Sequence, residues 1–279
     1  MLANLSEVLI PAMNDRTCVG HFNVINMEMA RGVIAAAEEA GAPVILGIEE
    51  NQLSICPLDE FASFVVPMAR KASVPVVVHF DRGHTFARCI EALKQGFTSV
   101  NFDCSRDVLE VNRERTAEMA RTAHAFGATV EAELGITPEA SELQGLSGTA
   151  GWFTDPKEAA DYVSKTGVDA LAISVGTGHG EYLTIPEIDY ERIRTISETV
   201  KIPLVLHGGS GLSDSAVKEA VASGISKIDI FTDVNIACCQ GAIQACNDGI
   251  HLVTEMIPYE VHAVKAAAAE KIRLFQGKM

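Results

Sequence analysis

Apolar β-branched runs alternate with amphipathic helical segments along nearly the whole chain, and each helix returns to the next run through a glycine and one or two residues, as at Gly41-Ala42-Pro43 and Gly167-Val168-Asp169. Connections this short are those of repeated βα units. Eight strands are read at Val19 to Val24, Pro43 to Ile48, Pro75 to Phe80, Ser99 to Phe102, Thr129 to Leu134, Ala170 to Ser174, Pro203 to Leu206 and Lys227 to Ile230. Helical patterns fill the intervals at Met27 to Ala40, Leu58 to Lys71, Thr85 to Gln95, Val108 to Phe126, Pro156 to Thr166, Tyr190 to Thr199, Asp214 to Ser223 and Asp233 to Asn247. Their ends are punctuated: Asp155-Pro156 sets a cap residue before a first-turn proline, and Gly41, Gly96, Gly127, Gly167 and Gly224 each follow a helix. Eight such units predict a closed α/β (β/α)8 TIM barrel as one domain over residues 1–279, with an open doubly wound sheet as the alternative. The Ala/Lys/Glu-rich stretch Tyr259 to Phe275 is an additional C-terminal helix that packs on the barrel or on a second subunit. One connection is long: Gly135 to Thr154, with Gly145, Ser147, Gly148, Thr149 and Gly151, has the composition of a loop over a site.

Bulk properties exclude several functions. A formal net charge of -15 sets the surface against nucleic acid and anionic membrane. No apolar run reaches transmembrane length, and Met1 to Arg16 lacks a basic stretch followed by a long apolar one, so the expected location is cytoplasmic. The seven cysteines form no Cys-x-x-Cys pair, and their odd number argues for reduced, core-packed thiols.

In a barrel of this kind chemistry sits at the C-terminal strand ends. Read in order, those ends supply Asn23, Glu49 and Glu50, Asp81 with Arg82, Asp103, Glu131 with Glu133, His179, His207, and Asp229 with Thr232 and Asp233. The strand Val74 to Phe80 shows the pattern most sharply, passing from β-branched residues straight into Asp81-Arg82-Gly83. Two histidines flanked by glycine, His179 and His207, suit a borderline divalent cation such as zinc, with Asp81 as acid or base beside it. His207-Gly208-Gly209-Ser210-Gly211 and Asp229 to Asp233 close the seventh and eighth strands, where barrels often bind phosphate through backbone N–H groups.

These segments, with Gly20-His21-Phe22-Asn23, His79-Phe80-Asp81, Gly96 to Asp103, Glu131-Ala132-Glu133-Leu134-Gly135, Thr154-Asp155-Pro156, Thr166 to Ala172 and Gly176-Thr177-Gly178-His179-Gly180, resemble the class II, zinc-dependent ketose-bisphosphate aldolases from Leu2 to Phe275. The resemblance implies reversible aldol cleavage of a phosphorylated ketose to dihydroxyacetone phosphate and an aldehyde, by an enzyme that forms a homodimer or homotetramer. It implies His179 and His207 as zinc ligands and Asp81 as proton donor to the aldehyde oxygen. On the same resemblance Glu133 and Asp103 line the cation site or its secondary position, Glu133 being counted with the metal ligands, while Asn23, Gly180, Gly208, Gly209, Ser210, Asp229 and Thr232 hold the substrate. Glu139 and Glu142, in the long loop, are candidates for the base.

Four positions depart from the family pattern. Arg82 stands where the third histidine ligand belongs, Leu183 replaces a lysine, Asp229 an asparagine and Glu49 a serine. Arginine cannot ligate a metal. Three readings follow: a zinc aldolase that recruits His84 or Glu133 as the missing ligand; an enzyme in which the Arg82 charge stabilises the enediolate; or a non-catalytic homologue that has lost zinc and binds a sugar phosphate or a partner subunit.

Overall fold

The computed structural model describes residues 1–143 and 152–277. The order of elements is β1 (Leu2–Ala3), α1 (Leu5–Asp15), β2 (Val19–Asn23), α2 (Met27–Ala40), β3 (Val44–Glu49), a short 3-10 helix (Glu50–Ser54), α3 (Leu58–Lys71) and β4 (Val76–Gly83). There follow α4 (Phe86–Lys94), β5 (Ser99–Phe102), α5 (Leu109–Ala125), β6 (Thr129–Leu134), α6 (Pro156–Thr166), β7 (Ala170–Ile173) and α7 (Tyr190–Thr199). The chain ends with β8 (Leu204–Leu206), α8 (Asp214–Ser223), β9 (Ile225–Ile230), α9 (Thr232–Asn247) and α10 (Val253–Phe275). Strands β2 to β9 are all parallel and close on themselves, because β2 pairs with β9 as well as with β3. The expected (β/α)8 barrel with an added C-terminal helix is therefore the observed fold.

The two faces of the strands separate into two cores. Outward residues such as Phe22, Leu46, Val78 and Val100 join the helices in the main apolar cluster. Inward residues near the strand starts, Val19, Ile45, Val77, Ala170, Ala172 and Val205, pack instead on Leu5, Val8, Leu9 and Ala12 of α1. Helix α1 thus plugs the N-terminal mouth of the barrel, and burial of Leu5 and Leu9 contributes about 1.5–3 kcal/mol each. The sequence reading omitted both β1 and α1. Their signal is the capping box in which Asn4 accepts from the Glu7 N–H while Glu7 accepts from the Asn4 N–H.

Other differences are local. Strand β4 runs three residues past Phe80, and its register against β5 shifts between Phe80 and Gly83. Such a bulge re-aims side chains, and Arg82 within it adopts φ 47°. Helix α10 starts at Val253 rather than Tyr259, since Pro258 forfeits a single backbone bond near the helix start. All seven cysteines are free as expected, but Cys239 and Cys246 are exposed rather than packed in the core. Residues 144–151 of the long loop, with Gly145, Ser147, Gly148, Thr149 and Gly151, lie outside the described residues.

Candidate active site

Alternate residues of a strand face the same way, so each barrel strand sends a short file of side chains inward. Here the inward file is apolar near the strand starts and, Gly47 apart, polar or ionisable above them: His21 and Asn23 on β2, Gly47 and Glu49 on β3, His79 and Asp81 on β4, Asn101 on β5, Glu131 and Glu133 on β6, Lys227 and Asp229 on β9. Strand register sets neighbours side by side, His21 with Asp229, Gly47 with His79, Glu49 with Asp81 and Asn101 with Glu131. His179 and His207 enter from the turns after β7 and β8, with ring centroids 5.6 Å apart.

At the centre is Lys227, fully buried, with Nζ 2.8 Å from both Glu131 Oε2 and Asp229 Oδ1. Burial alone would neutralise such a lysine, but the Asp229 and Glu131 carboxylates overcome it and raise its pKa. The reciprocal holds for Glu131 and Asp229: burial opposes their charge, yet Lys227 and the neighbouring histidines hold both carboxyls below the usual range. His207 lies 3.0 Å from Glu131 Oε1 through Nε2, 3.5 Å from Asp229 and 3.4 Å from Glu133 through Nδ1. Against burial, Asp229 and then Glu131 and Glu133 push the His207 pKa up. His79 is driven the other way by burial and by Lys227, with its Nδ1 2.9 Å from Ser99 Oγ. Asn23 fixes Asp81 by donating to Oδ2 at 2.7 Å.

Arg82 occupies the space between these groups and the cavity mouth. Its Nη1 donates to His179 Nδ1 at 2.9 Å, and Nε lies 3.6 Å from Glu49 and 3.9 Å from Asp103. To accept that bond His179 must be neutral with its proton on Nε2. Burial and the Arg82 charge accordingly depress the His179 pKa. A left-handed φ in a non-glycine residue costs about 1–3 kcal/mol and persists where its surroundings require it. Here the bulge and the ring of carboxylates around the guanidinium supply that requirement.

A cavity of about 430 Å³ opens above this cluster, and Asn23, Glu49, Asp81, Arg82, Glu139, His179, Gly180, Gly208, Ser210, Asp229 and Thr232 line it. Nearly all the substrate residues proposed from sequence therefore meet there. Gly209 lies just beneath the wall: its N–H donates to Asp229 O at 2.9 Å, and a Cβ would sit 2.2 Å from Ile228 Cγ2. Glu133 is buried against His207, below the opening. Of the two loop glutamates, Glu139 reaches the cavity, whereas Glu142 folds back to accept from the Glu139 N–H at 3.0 Å. His84 turns outward, exposed, with Nδ1 3.8 Å from Asp103.

Sequence reasoning missed four contributors. Lys227 was read as the start of a strand, not as a charge inside it. His21 and His79 were read only as parts of motifs, although their alternation with Asn23 and Asp81 marks them as inward-facing. Tyr182 was not singled out; its hydroxyl accepts from the Gly178 N–H at 2.9 Å and lies 2.8 and 2.7 Å from the carbonyls of Gly178 and Gly208, tying two site loops together.

The donor set suits a cation. Among the described residues, His21, His79 and Asp81 form one group, and Asp81, His207 and Asp229 another, in which one donor atom from each lies within 4.8 Å of the others. His79 Nε2, Asp81 Oδ1, Glu133 Oε2 and His207 Nδ1 are buried atoms without a hydrogen-bond partner, the kind of vacancy in bonding that a metal satisfies. A buried His/Asp cluster able to hold a metal ion is thus present. His179 belongs to neither group, because its free lone pair faces Arg82.

Comparison with known proteins agrees with this layout. Residues 3–278 match the family model described as fructose-bisphosphate aldolase class-II. The chain is 38% identical to the uncharacterized protein YdjI of Escherichia coli K12 over 99% of its own length and 98% of that protein. It is 34% identical to the fructose-bisphosphate aldolase of Geobacillus stearothermophilus, covering 98% of this chain and 96% of the relative. The crystal structure of the YdjI aldolase superposes with a TM-score of 0.89 at 36% identity, over 100% of this chain and 99% of that one. Barrel, buried His/Asp cluster and end-to-end similarity together place the chain in the class II fructose-bisphosphate aldolase family.

Proposed function

We propose that this protein catalyses reversible aldol cleavage of a phosphorylated ketose to dihydroxyacetone phosphate and an aldehyde, with zinc as cofactor. The observation that carries the reading is the convergence of Asp81, His179, Glu139 and the glycine turns at Gly180 and Gly208 on one cavity, directly above a buried His/Asp cluster. His207 and Glu133, with His179 once Arg82 releases its Nδ1, would hold the zinc, which supplies polarisation of the ketose carbonyl when bound. Gly180, Gly208, Ser210 and Thr232, at the start of α9, hold the phosphate, where backbone N–H groups and the helix N-terminus favour an anion. Asn23 orients Asp81, which gives a proton to the aldehyde oxygen as the carbon–carbon bond forms and takes it back on cleavage. Glu139, lining the same cavity, takes the proton from the reacting carbon of dihydroxyacetone phosphate. The reading carries with it a homodimer or homotetramer working in the cytoplasm.

The Arg82 bond to His179 favours a second reading, a sugar-phosphate-binding homologue without turnover. Three measurements separate them. Asp81→Asn should abolish aldol turnover, a loss of about 10²-fold or more for a proton-transfer group, with an unchanged circular dichroism spectrum. Wild-type protein saturated with zinc should carry about one ion per chain by metal analysis. Wild-type protein that exchanges no proton of dihydroxyacetone phosphate with solvent, by NMR, would leave only the binding role.

A further inference from the structure

The cavity wall is unevenly charged. Four carboxylates, Glu49, Asp81, Glu139 and Asp229, line it against one permanent cation, Arg82. That cation is committed, to His179 at 2.9 Å and to the carboxylates of Glu49 and Asp103 at 3.6 and 3.9 Å. Among the described residues no lysine lines the cavity, and Leu183, at the position where the resemblance implies one, is 74% exposed.

The imbalance is also local. Toward β8 and β9 the wall is Gly208, Ser210, Thr232 and Asn235, neutral groups around the first turn of α9, together with Asp229, whose charge is offset by Lys227 Nζ 2.8 Å away. Toward β3 it is Glu49, Asn51 and Gln52. Glu49 is fixed there: Asn51 Nδ2 donates to its Oε1 at 2.9 Å, and its own N–H donates to Gln52 Oε1 at 3.2 Å. Its register partner across the β3–β4 pair is Asp81. On the reaction proposed above, the aldehyde half of the substrate lies against Asp81 and so beside Glu49.

We infer that the aldehyde half bears no anionic group: the substrate is a ketose monophosphate with an uncharged, hydroxyl-rich tail, and Glu49 is the residue that excludes a second phosphate. Sugar hydroxyls can donate to Glu49 and bond to the amides of Asn51 and Gln52. Once the Glu49 carboxyl, pushed up to about 7 by burial and by Asp81, is ionised, a phosphate placed there meets two fixed carboxylates and, among the described lining residues, no uncommitted counter-ion; like-charge juxtaposition is how a site rejects an otherwise acceptable ligand. The inference rests on the aldolase reading for the placement of the tail, but its test does not require turnover.

Hexitol 1-phosphate and hexitol 1,6-bisphosphate lack the carbonyl and cannot be cleaved. Titrated calorimetrically at pH 8 into the zinc-loaded protein, the monophosphate should bind at least about 30-fold more tightly than the bisphosphate. Glu49→Ser and the isosteric Glu49→Gln should each reduce that preference by about tenfold or more. Equal affinities, a tighter bisphosphate, no binding of either hexitol, or a preference unchanged in both variants overturns the inference. Failure of the aldolase reading shows elsewhere, as absence of proton exchange in dihydroxyacetone phosphate.

Discussion

On the proposed zinc site, Arg82 and the metal ion would compete for one lone pair. With Nδ1 of His179 accepting from the guanidinium, the proton sits on Nε2 and the ring offers no free donor. Arg82→His removes the competitor and adds an imidazole, so zinc affinity should rise about 10- to 100-fold, read by competition with a chromogenic chelator. Unchanged affinity would show that the ion sits out of reach of residue 82. Asp81, His179 and His207 were legible in the sequence because each follows an apolar strand abruptly, a break with no packing explanation. Lys227 was not, since a buried lysine makes sense only once Glu131 arrives from β6 to join Asp229, two residues along the same strand, in flanking it. The His179–Arg82 bond was hidden for the same reason: its partners are 97 residues apart.

At the scale of the strands, β2, β3 and β4 are held together by a fit around Gly47. A Cβ there would lie 2.2 Å from His21 Nε2, 2.8 Å from Asn23 Oδ1 and 3.0 Å from His79 O. Gly47→Ala should therefore destabilise by about 1–3 kcal/mol through overpacking, measured by urea denaturation, and the double change with His21→Ala should recover part of the loss. Strand and helix periodicity made the eight βα units readable, because each unit buries one face and repeats the same short return. The extra residues of β4 and the early start of α10 were not readable. The first depends on a bulge set by the neighbouring strand, and the second on a proline that the start of a helix tolerates. Helix α1 lay outside the repeat, and only its capping box gave it away.

Taken whole, the molecule balances opposite charges inside a closed barrel, and its stability should follow pH accordingly. Glu131 and Asp229 have folded pKa values below their unfolded ones, so the stability they contribute is present above about pH 4 and is lost as pH falls through the folded values. His207 has a folded value above its unfolded one, so its contribution is complete below about pH 6.5 and fades as pH rises through the folded value. Calorimetric Tm should therefore drop steeply on the acid side and more gently on the alkaline side. An acid limb as shallow as the alkaline one would contradict this account of the central cluster. The plug formed by α1 has a consequence for traffic. With that mouth filled, the described residues open the site on one side, at the cavity lined by Asp81, Arg82 and Gly208, so both products of the proposed cleavage would leave past the same residues. On that reaction the fragment seated deeper would wait for the other, and release would be sequential.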